Sequence, residues 1–192
     1  MKRLISLCLL IACVCSLGVT GVYAAAEDRE TIELTAENFF DYYELVREDS
    51  VCKLDSKGKI QTVNPGPYVF VLKEEYQGRC EWKDEDVTVA VKGTESYCRV
   101  KIDGKTGEIT LGKEADKDIA KALKKTIFHT ELDGEVSGRE RIVVCQPLLY
   151  YRTNRVWMRG PVKPTNKIKL YMGVWDVDVV SVSGTICLKP EA

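Results

Sequence analysis

Val87-Thr88-Val89-Ala90-Val91-Lys92-Gly93-Thr94-Glu95-Ser96-Tyr97-Cys98-Arg99-Val100-Lys101-Ile102-Asp103-Gly104-Lys105-Thr106-Gly107-Glu108-Ile109-Thr110-Leu111 decides the fold. Its first five residues alternate around β-branched side chains, the pattern of a strand with one buried face. Lys92-Gly93-Thr94-Glu95 reads as a turn into a second strand, Tyr97 to Ile102. Asp103 to Gly107 is a stronger turn, because Asp and Gly supply the side-chain acceptor and the backbone freedom that tight reversals need. Glu108 to Leu111 then continues the meander.

The same punctuation runs outward in both directions. Upstream, Val51 to Leu54 and Lys59 to Val63 flank Asp55-Ser56-Lys57-Gly58. Asn64-Pro65-Gly66-Pro67 is a hard break. Tyr68-Val69-Phe70-Val71-Leu72 has the continuous apolar character of a buried strand, and Gln77-Gly78 turns into Arg79 to Trp82. Downstream, strands are expected at Arg141 to Cys145, Leu149 to Met158 and Ile168 to Met172. Val174 to Leu188 follows in two pieces divided near Ser183-Gly184.

Two helices are expected at the margins. Thr35 can cap a helix from Ala36 to about Val46, with Phe39, Tyr43 and Val46 on one stripe. The aromatic cluster Phe39, Phe40, Tyr42 and Tyr43 then reads as a lid on the core. Ile119, Leu123 and Ile127 form a second stripe within residues 115–128. Many short strands with regular turns predict a mainly β, β-sandwich-like domain with two short peripheral helices. Residues 25–192 suffice for one such domain and its core.

The first 24 residues read as a signal peptide. Lys2 and Arg3 precede 23 uncharged residues, Leu4 to Ala26, and Val22-Tyr23-Ala24 fits the small-x-small cleavage rule. Leu10-Ile11-Ala12-Cys13 offers an alternative, lipidation at Cys13, and an uncleaved apolar span offers a third. Each predicts a secreted or cell-surface domain. Without the leader the chain has 26 Lys+Arg against 29 Asp+Glu, a net charge of −3. That balance gives no case for a nucleic-acid partner.

Five cysteines remain after cleavage: Cys52, Cys80, Cys98, Cys145 and Cys187. An oxidising compartment permits one or two bridges among them, or simply buried thiols, and the odd count leaves room for a reactive or intermolecular thiol. Cys80 with Cys98 and Cys145 with Cys187 are the trial pairings. The absence of C-x-x-C removes thioredoxin-like redox chemistry and most zinc ribbons.

Other chemistries lack their residues. Gly104-Lys105-Thr106-Gly107 has neither the spacing nor the helix of a phosphate loop, and no G-x-S-x-G is present. Lys105-Thr106-Gly107 with Ser50-x-x-Lys53 mimics penicillin-binding motifs, but S-D-N is missing. Asp176 and Asp178 alternate on a strand and do not make a calcium loop. His129 is the single histidine in the chain, so no multi-histidine metal site can form. No cofactor is expected. No carboxylate pair among the 29 acids stands out as catalytic.

Charge is unevenly spread. Residues 27–50 carry nine acids and two bases, whereas residues 139–169 carry eight bases and one acid. The two segments either solvate, face each other, or serve a ligand. If Leu149 to Arg159 is one extended strand, Tyr151, Thr153, Arg155, Trp157 and Arg159 share a face. Tyr150, Val156 and Met158 then point to the core. An exposed row of Tyr151, Arg155, Trp157 and Arg159 suits a sugar ring or an anionic polymer, through ring stacking and guanidinium forks.

Ile32-Glu33-Leu34-Thr35-Ala36-Glu37-Asn38-Phe39-Phe40-Asp41-Tyr42-Tyr43 resembles the I-x-L-T-x-x-N-F-x-x-Y opening of small exported proteins from Gram-positive, often gut-dwelling, bacteria. Val177 to Leu188 resembles their closing strand pair. The resemblance covers about 24 residues at the two ends. It implies export, and it supplies no catalytic residues because the group has no assigned activity. The expected function is a non-enzymatic binding or structural module of the envelope or secretome. Its partner would be cell-surface glycan, teichoic-type or other anionic polymer, lipid headgroup, or another protein. The alternatives are a small secreted hydrolase using carboxylates and a protein-partner-binding subunit that offers an open sheet edge.

Overall fold

The computed structural model describes residues 29–82, 85–125, 132–153, 156–159 and 169–190, with backbone only at 153 and 156–159. The signal peptide, Cys13, His129 and Arg155 lie outside the described residues. The chain is mainly β, sandwich-like, with two short helices, as its punctuation predicts.

The strands run in the order β1 (Glu30–Glu33), β2 (Tyr43–Arg47), β3 (Val51–Leu54), β4 (Ile60–Asn64), β5 (Tyr68–Leu72), β6 (Cys80–Trp82), β7 (Val87–Ile102) and β8 (Ile109–Glu114). They continue as β9 (Leu132–Gly138), β10 (Arg141–Cys145), β11 (Leu149–Thr153), β12 (Val156–Arg159), β13 (Leu170–Ser183) and β14 (Thr185–Leu188). Helix α1 is Phe39–Tyr42 and α2 is Lys117–Lys125.

The frame is an antiparallel pair of long strands, β7 and β13, 16 and 14 residues in length. They extend a six-stranded sheet in the order β12-β11-β13-β7-β8, with β9 on β7 beside β8. β9 takes the first half of that edge, Val87 to Gly93, and β8 the second, Cys98 to Ile102. Two three-stranded sheets, β1-β14-β6 and β10-β5-β2, complete the main core, and β3-β4 is a separate hairpin.

Both long strands correct the expected breaks at Lys92-Gly93-Thr94-Glu95 and Gly173. Gly93 pairs with Val177, and Gly173 with Tyr97, inside continuous ladders. These glycines make room and do not turn. A Cβ on Gly93 would lie 2.7 Å from Leu132 Cδ2, and one on Gly173 would overlap the Glu95 carboxylate. Strand glycine marks close approach as well as bends.

The first expected helix is also corrected. Thr35 closes the turn before the helix, its Oγ1 accepting from Asn38 N–H at 3.3 Å while Asn38 Oδ1 accepts from Thr35 N–H at 2.8 Å, and Asn38 is the N-cap. One turn follows, and then Tyr43 to Arg47 pairs with β5. A full strand ladder against the apolar Tyr68–Leu72 outweighs local helix preference. The aromatic cluster divides accordingly. Phe39 and Tyr43 stack at 4.7 Å in the core, and Phe40 is exposed.

Three packed layers result. The main core joins Phe39, Tyr43, Phe70, Leu72, Val87, Val89, Val91, Ile142, Trp175 and Ile186. Each such side chain contributes about 1.5–3 kcal/mol by burial. Tyr43 stays satisfied there, its hydroxyl donating to Arg139 O at 2.8 Å. At the far end of β7 both sheet faces are covered. The β3-β4 hairpin packs Val63 on Val100, Leu149, Tyr151, Leu170 and Met172. Helix α2 packs Leu123 on Tyr97, Tyr150 and Tyr171.

Strand β9 lies where no strand was expected. Leu149 to Met158, expected as one strand, is the antiparallel pair β11-β12.

Candidate functional site

The reversal between β11 and β12 takes Tyr151 out of the expected binding row. Tyr151 stands opposite Met158, and Arg152 opposite Trp157. Side chains two apart share a face only along one uninterrupted strand. Tyr151 is 9% exposed and packs under the β3-β4 hairpin, so it offers no ring to a ligand. Tyr150 is buried as expected, but on the opposite side of the sheet, under α2. Arg155 and the side chains of Trp157 and Arg159 lie outside the described residues.

A different site forms at the other edge of the sheet, on the α2 side. Arg99 and Lys101 alternate along β7 and share one face, both exposed. On β8 the ladder shifts: Cys98 pairs with Glu114, and Val100 with Leu111, so Gly112 and Lys113 together oppose Arg99. This bulge re-aims the edge strand and brings Lys113 beside Arg99. Gly112 leaves the space that the Lys101 side chain crosses, since a Cβ there would lie 3.3 Å from Lys101 Cε. On the far side of β7, Arg99 faces Tyr171. Lys169 enters β13 two residues earlier on the same face.

These residues line a cleft of about 440 Å³ with Glu114, Ala115, Asp116 and Ile119. Four cations therefore border it against two acids. Asp116 has other work, and Glu114 leaves its charge in the cleft. Asp116 Oδ1 accepts from Ile119 N–H at 2.8 Å and caps α2. Glu114 stands opposite Cys98 and, after burial, is the next cause raising that thiol's pKa. The side chains of Arg99, Lys101, Lys113 and Lys169 make no hydrogen bond or ion pair with another described residue. Tyr171, at the floor, is buried and belongs to the α2 cluster.

Beneath the cleft lies a polar layer. Glu95 is half-buried and accepts from Tyr150 Oη at 3.1 Å. The Tyr97 hydroxyl also bonds to it; burial first, and the Glu95 charge second, push the Tyr97 phenol upward. The two phenols meet edge to face at 5.4 Å. The layer fixes the tyrosine floor against which α2 and β13 pack.

The charge asymmetry is partly consumed in pairing. Arg141 of the basic segment meets Glu48 of the acidic one at 2.8 Å, and Arg139 meets Asp86 at 2.8 Å. Of the basic segment, only Lys169 reaches the cleft among the described residues. Arg99, Lys101 and Lys113 escaped the sequence reading because a net count over long segments hides three cations gathered from two strands. The legible trace was Arg99-x-Lys101 facing an edge strand that carries Gly112-Lys113.

All five expected disulfide cysteines are free thiols. Cys187 is buried and the other four are half-buried. Neither trial pairing is formed: Cys80 (β6), Cys98 (β7), Cys145 (β10) and Cys187 (β14) are each a free thiol. Cys80 stands opposite Leu188 and Cys187 opposite Glu81, one position apart and so on opposite faces. Burial pushes the Cys80 and Cys145 thiols up to about 11, away from nucleophilic ionisation. Among the described residues no group of three or more metal-ligating side chains forms, and no helix is long and apolar enough to cross a membrane.

No protein-family model, curated protein or solved structure matches the chain.

Proposed function

We propose that the chain is an exported binding module that works at or beyond the cell surface and holds an anionic ligand in the cleft of Arg99, Lys101, Lys113 and Lys169, without chemistry on it. Export is supported by the Lys2-Arg3 start, the uncharged run and the Val22-Tyr23-Ala24 cleavage signal. Binding is supported by one observation. Four cations crowd one cleft in a chain whose mature net charge is negative; they outnumber its acids, Glu114 and Asp116, by two, and none forms an ion pair with a described residue. Like charges on neighbouring strands cost stability. A ligand carrying the opposite charge recovers that cost. In an envelope the candidates are anionic polymer, acidic glycan and lipid headgroup.

The test is retention on a polyanion resin of protein secreted from cells expressing the full chain. Wild type should be retained, and Arg99→Glu with Lys113→Glu should elute at clearly lower salt. Arg139→Glu with Arg141→Glu, which removes two cations outside the cleft, should elute close to wild type. Equal losses in both double variants, each still folded by circular dichroism, would place the binding elsewhere.

A further inference from the structure

Resting on that reading, we infer that the ligand is a phosphodiester polymer with no ring to stack, bound through the charges of its backbone. Three features of the cleft select it.

The first is the kind of cation. Three of the four are lysines. A lysine ammonium is a compact point charge that serves a phosphate oxygen from any direction. A planar carboxylate gains most from the two-pronged arginine fork, of which the cleft holds one.

The second is spacing. Arg99 and Lys101 are two residues apart on one strand, about 6.6 Å, and neighbouring strands lie about 4.8 Å apart. Lys113 and Lys169 flank β7 on its two sides, so the cationic field spans about two strand widths, near 10 Å. A field of that size holds two successive charges of a chain and not one isolated group. The cleft is open to solvent along its length, since all four cations are exposed, and a polymer can enter and leave it.

The third is what the cleft lacks. Its aromatic residue, Tyr171, is buried at the floor, and its apolar wall is the half-buried Ile119. Neutral sugar rings and nucleobases are held by exposed aromatic faces. Here such groups gain nothing, and the repeating charge carries the recognition.

The experiment measures binding of the secreted, full-length-encoded protein to three labelled probes of equal charge: a glycerol-phosphate oligomer, oligoglutamate and oligothymidine. The glycerol-phosphate oligomer should bind best, and its affinity should fall about 50-fold between 50 and 200 mM salt, as four neutralised charges on a flexible chain require. Lys101→Gln and Lys113→Gln should each lower the salt slope by about 0.7. Oligoglutamate binding as tightly would overturn the phosphate assignment and leave the anionic cleft standing. Oligothymidine binding more tightly would overturn it in favour of a base-bearing ligand. If none of the three binds, both this inference and the binding function fall. Unchanged slopes in the two lysine variants would remove the cleft as the site.

Discussion

Glu95 and Gly173 show how single positions set the ground beneath the cleft. The carboxylate lies where a Gly173 side chain would be, and Tyr150 and Tyr97 donate into it. Gly173→Ala forces a half-buried charge to move, and should cost about 1–3 kcal/mol in urea unfolding. A change within about 0.5 kcal/mol, the scale of a neutral surface substitution, would show that the close approach is absent. Cys80 and Cys145 make the second prediction. Burial disfavours their thiolates, so the unfolded chain gives up these protons first, near pH 9, and the folded chain near 11. Their contribution is whole below pH 9 and is lost as the pH rises toward 11. Urea midpoints at pH 7, 9 and 10.5 should fall across the last interval, and fall less in Cys80→Ala with Cys145→Ala. A midpoint that holds steady in the parent protein would contradict the buried placement.

At the scale of elements, α2 and the β8 bulge build the site. Leu123 is fully buried and seats α2 on three tyrosines. Leu123→Ala should cost about 2–5 kcal/mol by denaturant titration. It should also loosen the polyanion, because the helix forms one wall of the cleft. A loss of stability with salt-dependent binding untouched would mean the wall is dispensable. Strand assignments were legible where an apolar run met a compact turn, as at β3-β4 around Asp55 to Gly58, β5 after Pro65-Gly66-Pro67 and β8 after Asp103-Gly104. They failed at Gly93 and Gly173, where glycine answers to a neighbour's side chain and not to a turn. They failed at Tyr43 to Arg47, where an aromatic stripe at helical spacing is drawn into a ladder with β5. The β11-β12 reversal was illegible because its strands carry no glycine or proline between them. That single miss moved the expected site, since every face assignment after a reversal depends on the register it sets.

For the whole molecule, the mature sequence permitted bridges or buried thiols, and the fold distributes the five cysteines over β3, β6, β7, β10 and β14. Protein recovered from its host should begin at Ala25, and after denaturation without reductant should take five alkyl groups by intact mass. Three or one would reveal bridges, and a lipidated start at Cys13 would mean a tethered protein. Long strands crossing the molecule carry cations at one end, beside the Tyr97 and Val100 clusters, and pack the main core at the other. The cleft itself was legible only in part. Composition could show an excess of acids, but the gathering of Arg99, Lys101, Lys113 and Lys169 needs the register of three strands. The most direct test is therefore a backbone amide chemical-shift titration with the glycerol-phosphate oligomer at low salt. The account predicts shifts concentrated at Arg99, Lys101, Gly112, Lys113 and Tyr171, saturating together. Shifts centred on β11-β12 or on the hairpin tips Asp55–Lys59 and Asp103–Gly107, or no shifts at all, would contradict it.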